Sequence, residues 1–392
     1  MFRHSVPQKR NIPIAIAAAA AMQAFAFGAA ADSGMPIGNS FDLMYENGAF
    51  KNKPRADGHA PIGVMGDHIH KKGELMLSYR YMYMDMESSK IGLTDVSPKR
   101  IVTTVPNRFF GRPMQPPTLR VVPTNMDTDM HMFGGMYGIT DRLTFMAMLP
   151  YIDKDMNHIT FRGGMGTRRL GTFSTHSDGV GDFSFGGLYG LYDKKRAEGK
   201  ESLVGGLMFS APTGSTTEKG RILTPMGGTP IVRLPYAMQL GSGTWDIVPS
   251  VTYKNRMRNL SFGAQYRGKY RLEYENDEGY RLGNKTEVTG WASYEWANWI
   301  SNSVRVSYMH LGDIDGIDSR IVGPVQTANP DFYGGDRADI LFGMNLVGQE
   351  GLLCGQRVAA EVGVPFYQDL NGPQLQTDYT FMIGWQKKLG KC

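Results

Sequence analysis

The sequence predicts an all-β fold: a transmembrane, antiparallel, up-and-down β-barrel of about 12 strands with long extracellular loops and short periplasmic turns. Three observations predict it. Alternating segments of barrel-strand length recur from residue 73 to the C-terminus, joined by connections that are short and long in turn. Charged residues inside those segments keep to one side of the alternation. The chain also combines 5 Trp, 19 Tyr, 19 Phe and 49 Gly with a mean hydropathy of only −0.31. A wall with one face to lipid and one to a polar lumen has that composition.

Residues 1–31 read as a secretory signal. Arg3, Lys9 and Arg10 give a positive start, Ile12 to Phe27 is apolar and Ala-rich, and Ala29-Ala30-Ala31 precedes Asp32. No later run of about 18 apolar residues offers a membrane helix. Residues 32–72, broken by Gly and Pro, are expected to form an N-terminal periplasmic segment, and residues 73–392 the barrel. The implied location is the bacterial outer membrane, with outer-membrane lipid and the barrel-insertion machinery as partners, and a monomer is expected. The formal net charge of +5 over 392 residues is not the footprint of a nucleic-acid binder. Two cysteines, Cys354 and Cys392, fall on the periplasmic side, where an oxidising compartment makes them a candidate disulfide.

Twelve strands are predicted at 73–86, 127–138, 142–152, 179–192, 201–212, 244–254, 258–270, 284–297, 300–312, 336–347, 355–367 and 375–389. Short turns lie near 139–141, 193–200, 255–257, 298–299 and 348–354. The Pro-rich 87–126 loop cannot pair continuously and is a candidate constriction or plug.

The period of two assigns faces. Leu75, Leu77, Tyr79, Tyr81 and Tyr83 face lipid in the first strand. Phe183, Phe185, Tyr189 and Leu191 do so in the fourth, Tyr294 and Trp296 in the eighth, Val304 and Val306 in the ninth, and Tyr379, Phe381, Ile383 and Trp385 in the last. Arg80, Arg267, Glu287, Glu295, Arg305, Asp339 and Glu361 then line the lumen. A charge in hydrocarbon costs several kcal/mol, so this one-sidedness supports a polar interior. Opposite charges facing across it are expected to pair.

Tyr137-Gly-Ile-Thr-Asp-Arg-Leu143 followed by Leu149-Pro150-Tyr151 resembles a hairpin of the outer-membrane channel-like family named for the meta-pathway of phenol degradation. Gly179-Val-Gly-Asp182 and Ser210-Ala-Pro-Thr-Gly214 resemble two further motifs of that family, in the same order. The resemblance covers about residues 73–390. It implies passage of small molecules, some of them hydrophobic, across the outer membrane. His59-Ala-Pro-Ile-Gly-Val-Met-Gly-Asp-His-Ile-His70 falls outside the pattern.

Met76, Met82, Met84, Met86, Met146, Met148, Met208 and Met309 share inward parity, as does Met382. Two readings stay open. Thioethers are soft ligands that suit Cu(I), so the stripe can serve a copper ion. Methionine is also a flexible apolar filler, so it can line a path for hydrophobic or aromatic solutes. Near the inner mouth His59, Met65, Asp67, His68 and His70 offer a candidate metal site. Asp127, Asp129, Met130 and His131 offer a second. No cofactor is required by any motif, and copper or another transition metal is the candidate bound ion. Ser307 and His310 lie on opposite faces of their strand, and no nucleophile elbow occurs, so no enzyme is expected. The reading is an outer-membrane channel passing a small solute through a Met-rich lumen, with a soft metal such as copper as candidate cargo. The alternatives are transport of hydrophobic or aromatic small molecules, or a plugged barrel acting as a surface binding protein.

Overall fold

The computed structural model describes residues 45–46, 49–50, 54–196 and 199–389. The signal-like residues 1–31 and Cys392 lie outside them. Two units divide the chain, Met1–Asn52 and Lys53–Cys392. In the first, Tyr45–Glu46 pairs with Ala49–Phe50. No described helix is long and apolar enough to cross a membrane.

The second unit is a closed antiparallel sheet. Its strands are β1 (Leu75–Gly92), β2 (Val121–Gly138), β3 (Leu143–Phe161), β4 (Arg169–Val180), β5 (Ser184–Arg196), β6 (Gly199–Ser210), β7 (Asp246–Met257), β8 (Leu260–Arg271), β9 (Lys285–Ala297), β10 (Ile300–Leu311), β11 (Gly335–Val347) and the long ribbon β12 (Gln356–Leu389). β12 pairs with β11 through Arg357–Leu370 and with β1 through Leu370–Leu389. It therefore runs outward and returns, fills two places in the wall and closes it. β4 and β5 share one place, because both pair with β3, one along each half. Twelve places result among the described residues, matching the sequence expectation.

The break between β4 and β5 explains two of the motifs. Asp182 Oδ1 accepts from Gly214 N at 3.1 Å, and its Oδ2 accepts from Ser242 N and Oγ at 2.9 and 2.8 Å. Thr213 Oγ1 donates to Gly181 O and accepts from Phe183 N. A Cβ at Gly214 would lie 2.7 Å from Gly241 Cα. The Gly-Asp and Pro-Thr-Gly elements are thus two halves of one junction that seats the 211–245 loop. The other motif is a self-capping turn: Thr140 Oγ1 accepts from Arg142 N and Leu143 N.

Outward positions carry the lipid band. Leu77, Phe133, Phe145, Leu207, Val306, Phe342, Val362 and Ile383 are exposed, with Trp296, Trp299 and Trp385. β1, β2 and β3 hold 18, 18 and 19 residues, well beyond the roughly 9–11 a membrane strand needs. They overshoot the membrane at the loop-bearing end, past the end of the segments predicted there.

That overshoot trims the 87–126 loop to 93–120. A short helix, α1 (Pro98–Thr104), opens it. Ser97 caps α1 and Pro98 takes its first position. Ile101 and Val102 of α1 pack on Val122, Ile159 and Phe161 of the overshooting strands. Farther along, Phe109 meets Tyr236, Tyr280, Ile314 and Ile321 from the other outer loops. Four loops thereby cover the outer mouth together, and 93–120 is not a plug by itself.

The inner end is closed differently. Residues 54–74, which take in the described end of the 32–72 segment expected to be periplasmic, pass inside the wall, bonded to inward-facing strand residues. Where this segment becomes β1, Gly138 lies against it: a Cβ there would sit 1.9 Å from Lys71 O. Replacing Gly138 by Ala is expected to destabilise the barrel by about 1–3 kcal/mol, the range for overpacking. A lower temperature for the loss of heat-modifiable gel migration would register it.

Candidate functional site: a plugged lumen with two unlike walls

The plug is pinned to strands from all sides. Asp67 Oδ2 accepts from Lys254 Nζ of β7 at 2.9 Å and from Ala60 N at 2.9 Å within the plug. Arg357 of β12 donates to Ala60 O at 2.6 Å. Gln265 of β8 donates to Met65 O at 2.7 Å, and His70 N donates to Thr144 Oγ1 of β3 at 2.8 Å. Gly63 N donates to Glu361 Oε2 at 3.2 Å. Lys72 N donates to Asp141 Oδ1 of the β2–β3 turn. Ala60 and Val64 pack on Trp291.

Arg305 and Glu361 form a two-pronged pair at 2.9 and 2.8 Å, both side chains buried. Asp339 meets Arg337 at 3.1 Å. Glu287 accepts from Ser307 Oγ and lies 3.5 Å from Lys285. Glu295 is buried against Arg55. Arg267 stands 3.9 Å from Met65 Sδ. Arg80 is buried, and its Nε and Nη1 have no hydrogen-bond partner among the described residues. Apart from Arg55 of the plug and Arg80, which stands on β1 level with Met132, these groups, with Lys269, Asp246 and Arg271, make an ionic wall along β7 to β12.

The opposite wall is sulfur. Register sets Met76, Met136 and Met146 side by side, then Met382, Met82 and Met130, then Met86, Met126 and Met156. Met76, Met136, Met146 and Met208 pack with Leu188, Val204 and Val248, and Met65 and Ile69 of the plug rest on them. Met86, Met126 and Met156 pack with Leu234 and Met238, which the 211–245 loop sends into the barrel. Met84 Sδ lies 3.9 Å from Thr377 Oγ1 and 4.0 Å from Arg337. Met148 lines the space beneath the plug. Met309 lies at the same level as Glu287 and Arg337 on the ionic side. Met126, Met132, Met136 and Met156 were not among the residues expected from sequence, and Met130 was expected only in the second metal cluster, although their even numbers on β2 and β3 share the inward parity.

The two expected metal clusters part company. Asp127, Asp129 and His131 have odd parity and face outward, away from Met130. Tyr83 OH donates to Asp127 at 2.5 Å, Tyr81 OH to Asp129, and Tyr79 OH lies 2.8 Å from His131 Nδ1. They lie level with Asp153, Asp155 and His176 of the neighbouring strands, toward the loop-bearing end of β2. They do not join the plug histidines.

The plug histidines do come together. The His59 and His68 rings are 4.7 Å apart, and those of His68 and His70 are 4.9 Å apart. His59, Asp67 and His68 each present a ligand-type atom within 4.8 Å of the others. Asp67 Oδ1 holds His68 Nδ1 at 2.7 Å, and Glu74 lies 3.5 Å from His70 Nδ1. Burial alone would raise the Asp67 carboxyl, but Lys254 and His68 outweigh it and hold it well below its usual value. Burial, reinforced by His68, holds His59 well below the usual imidazole value and lowers His70 to about 4. Cys354 is buried at the inner rim; its expected partner, Cys392, is outside the described residues.

No family model and no curated protein matches this sequence. The resemblance to the phenol meta-pathway family therefore rests on the short motifs. Solved structures do match. An outer membrane channel from Pseudomonas putida F1 aligns over 82% of this chain and 98% of its own, with a TM-score of 0.52 and 13% identity. The fold is that of an outer-membrane β-barrel channel. Two others align more loosely: a deltaS2 mutant of the TodX monoaromatic hydrocarbon channel (13% identity, 82% and 91% coverage, TM-score 0.41) and a Pseudomonas aeruginosa FadL homologue (10%, 81% and 90%, 0.38). At these identities the likeness is one of fold.

Proposed function

We propose that the protein passes small hydrophobic solutes, aromatic rings among them, across the outer membrane along the thioether wall, with the 54–74 plug as its inner gate. The single observation that carries this reading is the set of methionine rungs on one wall, Met86, Met126 and Met156 under the loop cap, Met82, Met130 and Met382 midway, and Met76, Met136 and Met146 under the plug, with Lys154 between the first two rungs and Arg80 between the last two. Each rung offers such a solute an apolar surface, while paired charges hold the opposite side. Methionine re-packs around objects of different shape, which suits a conduit better than a fixed pocket. The Pseudomonas putida F1 protein with this fold is an outer membrane channel, which supports the transport part of the reading.

The test is whole-cell uptake of a radiolabelled aromatic hydrocarbon across an outer membrane whose lipopolysaccharide resists it. Cells carrying the protein are expected to take up the hydrocarbon faster than cells without it, and to gain no uptake of a sugar of similar mass. Equal gains for both solutes would make it a general pore, and no gain for either would leave the plugged binding-protein reading.

A further inference from the structure

A small void of about 20 Å³ lies between the plug and the sulfur wall, and Met65, His68, Met76, Met136, Met146 and Met148 line it. It has room for one water-sized or ion-sized occupant. His68 also lines a second cavity of about 300 Å³, which His59, Asp57 and Lys254 share beside the β2–β3 turn at the inner mouth. His68 is thus the side chain between an inner vestibule and a chamber of thioethers.

Among the described residues, three buried imidazole nitrogens here have no hydrogen-bond partner: His59 Nδ1, His68 Nε2 and His70 Nε2. For His68 and His70 the opposite ring nitrogen faces a carboxylate, Asp67 at 2.7 Å and Glu74 at 3.5 Å. That is how proteins orient a ligating imidazole: the carboxylate takes the N–H and leaves the other lone pair for a metal. Both Asp67 oxygens are already engaged, so Asp67 is a positioning residue. Neutral nitrogen and thioether sulfur are the donors left.

We propose that this void is a Cu(I) site, with His68 supplying nitrogen, the surrounding methionines supplying sulfur, and His59 and His70 flanking it. The donor set selects the ion, because thioethers favour Cu(I) and imidazole also suits copper. Charge selects the same way. Lys254 stands against Asp67, and Arg80 lines the void. A monovalent soft ion meets half the repulsion that Zn(II) would meet there. The site goes beyond the transport reading and does not depend on it, since copper binding is read without solute flux.

The experiment titrates Cu(I) into the purified full-length protein in detergent, anaerobically, against a chromophoric Cu(I) chelator. Wild type is expected to withdraw about one equivalent of copper, and X-ray absorption is expected to show both sulfur and nitrogen neighbours. The M136L/M146L double variant keeps the bulk and removes two sulfurs. It and H68A are each expected to bind at least about tenfold more weakly, the scale on which metal sites lose affinity when their surroundings are cut. Heat-modifiable migration confirms that each variant still holds a folded barrel. A chelator left fully loaded by wild type, copper without sulfur neighbours, or unchanged binding in both variants would overturn the proposal.

Discussion

Deleting residues 54–70 is expected to turn a nearly silent barrel into one with large, steady conductance in planar bilayers. The plug is held inside the barrel by at least six polar anchors. The wall strands that hold it, from β3 round to β12, pair with one another independently of it. Deletion therefore removes the obstruction without removing any rung of the sheet. The outer cap still restricts the mouth through Leu234, Met238, Tyr236 and Phe109, so the conductance is expected to stay below that of an unobstructed barrel of this size. A deleted form as silent as the intact protein would place the main barrier in the loops. Milder release is expected from Lys254→Met, which strips the β7 anchor from Asp67. Brief openings, rather than a permanent pore, would mark it.

The second large effect concerns Arg305 and Glu361. Both are buried, they bond through two parallel contacts, and Glu361 also takes the N–H of Gly63 from the plug. Glu361→Ala leaves a buried guanidinium without its carboxylate. Breaking such a pair from one side costs about 3–5 kcal/mol, seen as a lower urea midpoint for the folded barrel. Replacing both residues by Met is expected to recover most of that loss, because a matched apolar pair leaves no stranded charge. The plug would still lack its Gly63 anchor, so the double variant is expected to fold well and to gate loosely. Equal destabilisation by the single and double variants would show that packing, and not the ion pair, sets the cost.

The wall was legible in the sequence because a barrel strand repeats every two residues, and a charge on the wrong face is costly enough to enforce the pattern. Leu77, Tyr294, Val306 and Ile383 face out, and Arg80, Glu287, Arg305 and Glu361 face in, as parity requires. The plug was not legible. Residues 54–74 have no period, and their apolar residues, Ile62, Val64, Met65 and Ile69, look alike whether they meet solvent or a lumen. What commits them inward is partners some 200 to 300 residues away, such as Gln265 and Arg357. The methionines of β2 were half-legible. Grouping Met130 with Asp127, Asp129 and His131 ignored the parity that separates them, and separating them yields the middle rung of the sulfur wall. The overshoot of β1 to β3 also escaped a reading tuned to membrane-length strands. Those strands are built of the same alternating residues above the membrane as within it.

The central claim is that the sulfur wall is a hydrophobic path. It is tested most directly by hydrocarbon uptake in cells carrying one of two variants, with Met82, Met84, Met130 and Met382 all changed to Leu or all changed to Gln. Leucine keeps the bulk and the apolar surface without sulfur, while glutamine keeps the length and adds a polar amide. The expected result is full uptake through the Leu variant and little through the Gln variant. Loss of uptake in the Leu variant, or full uptake through the Gln variant, would contradict the claim.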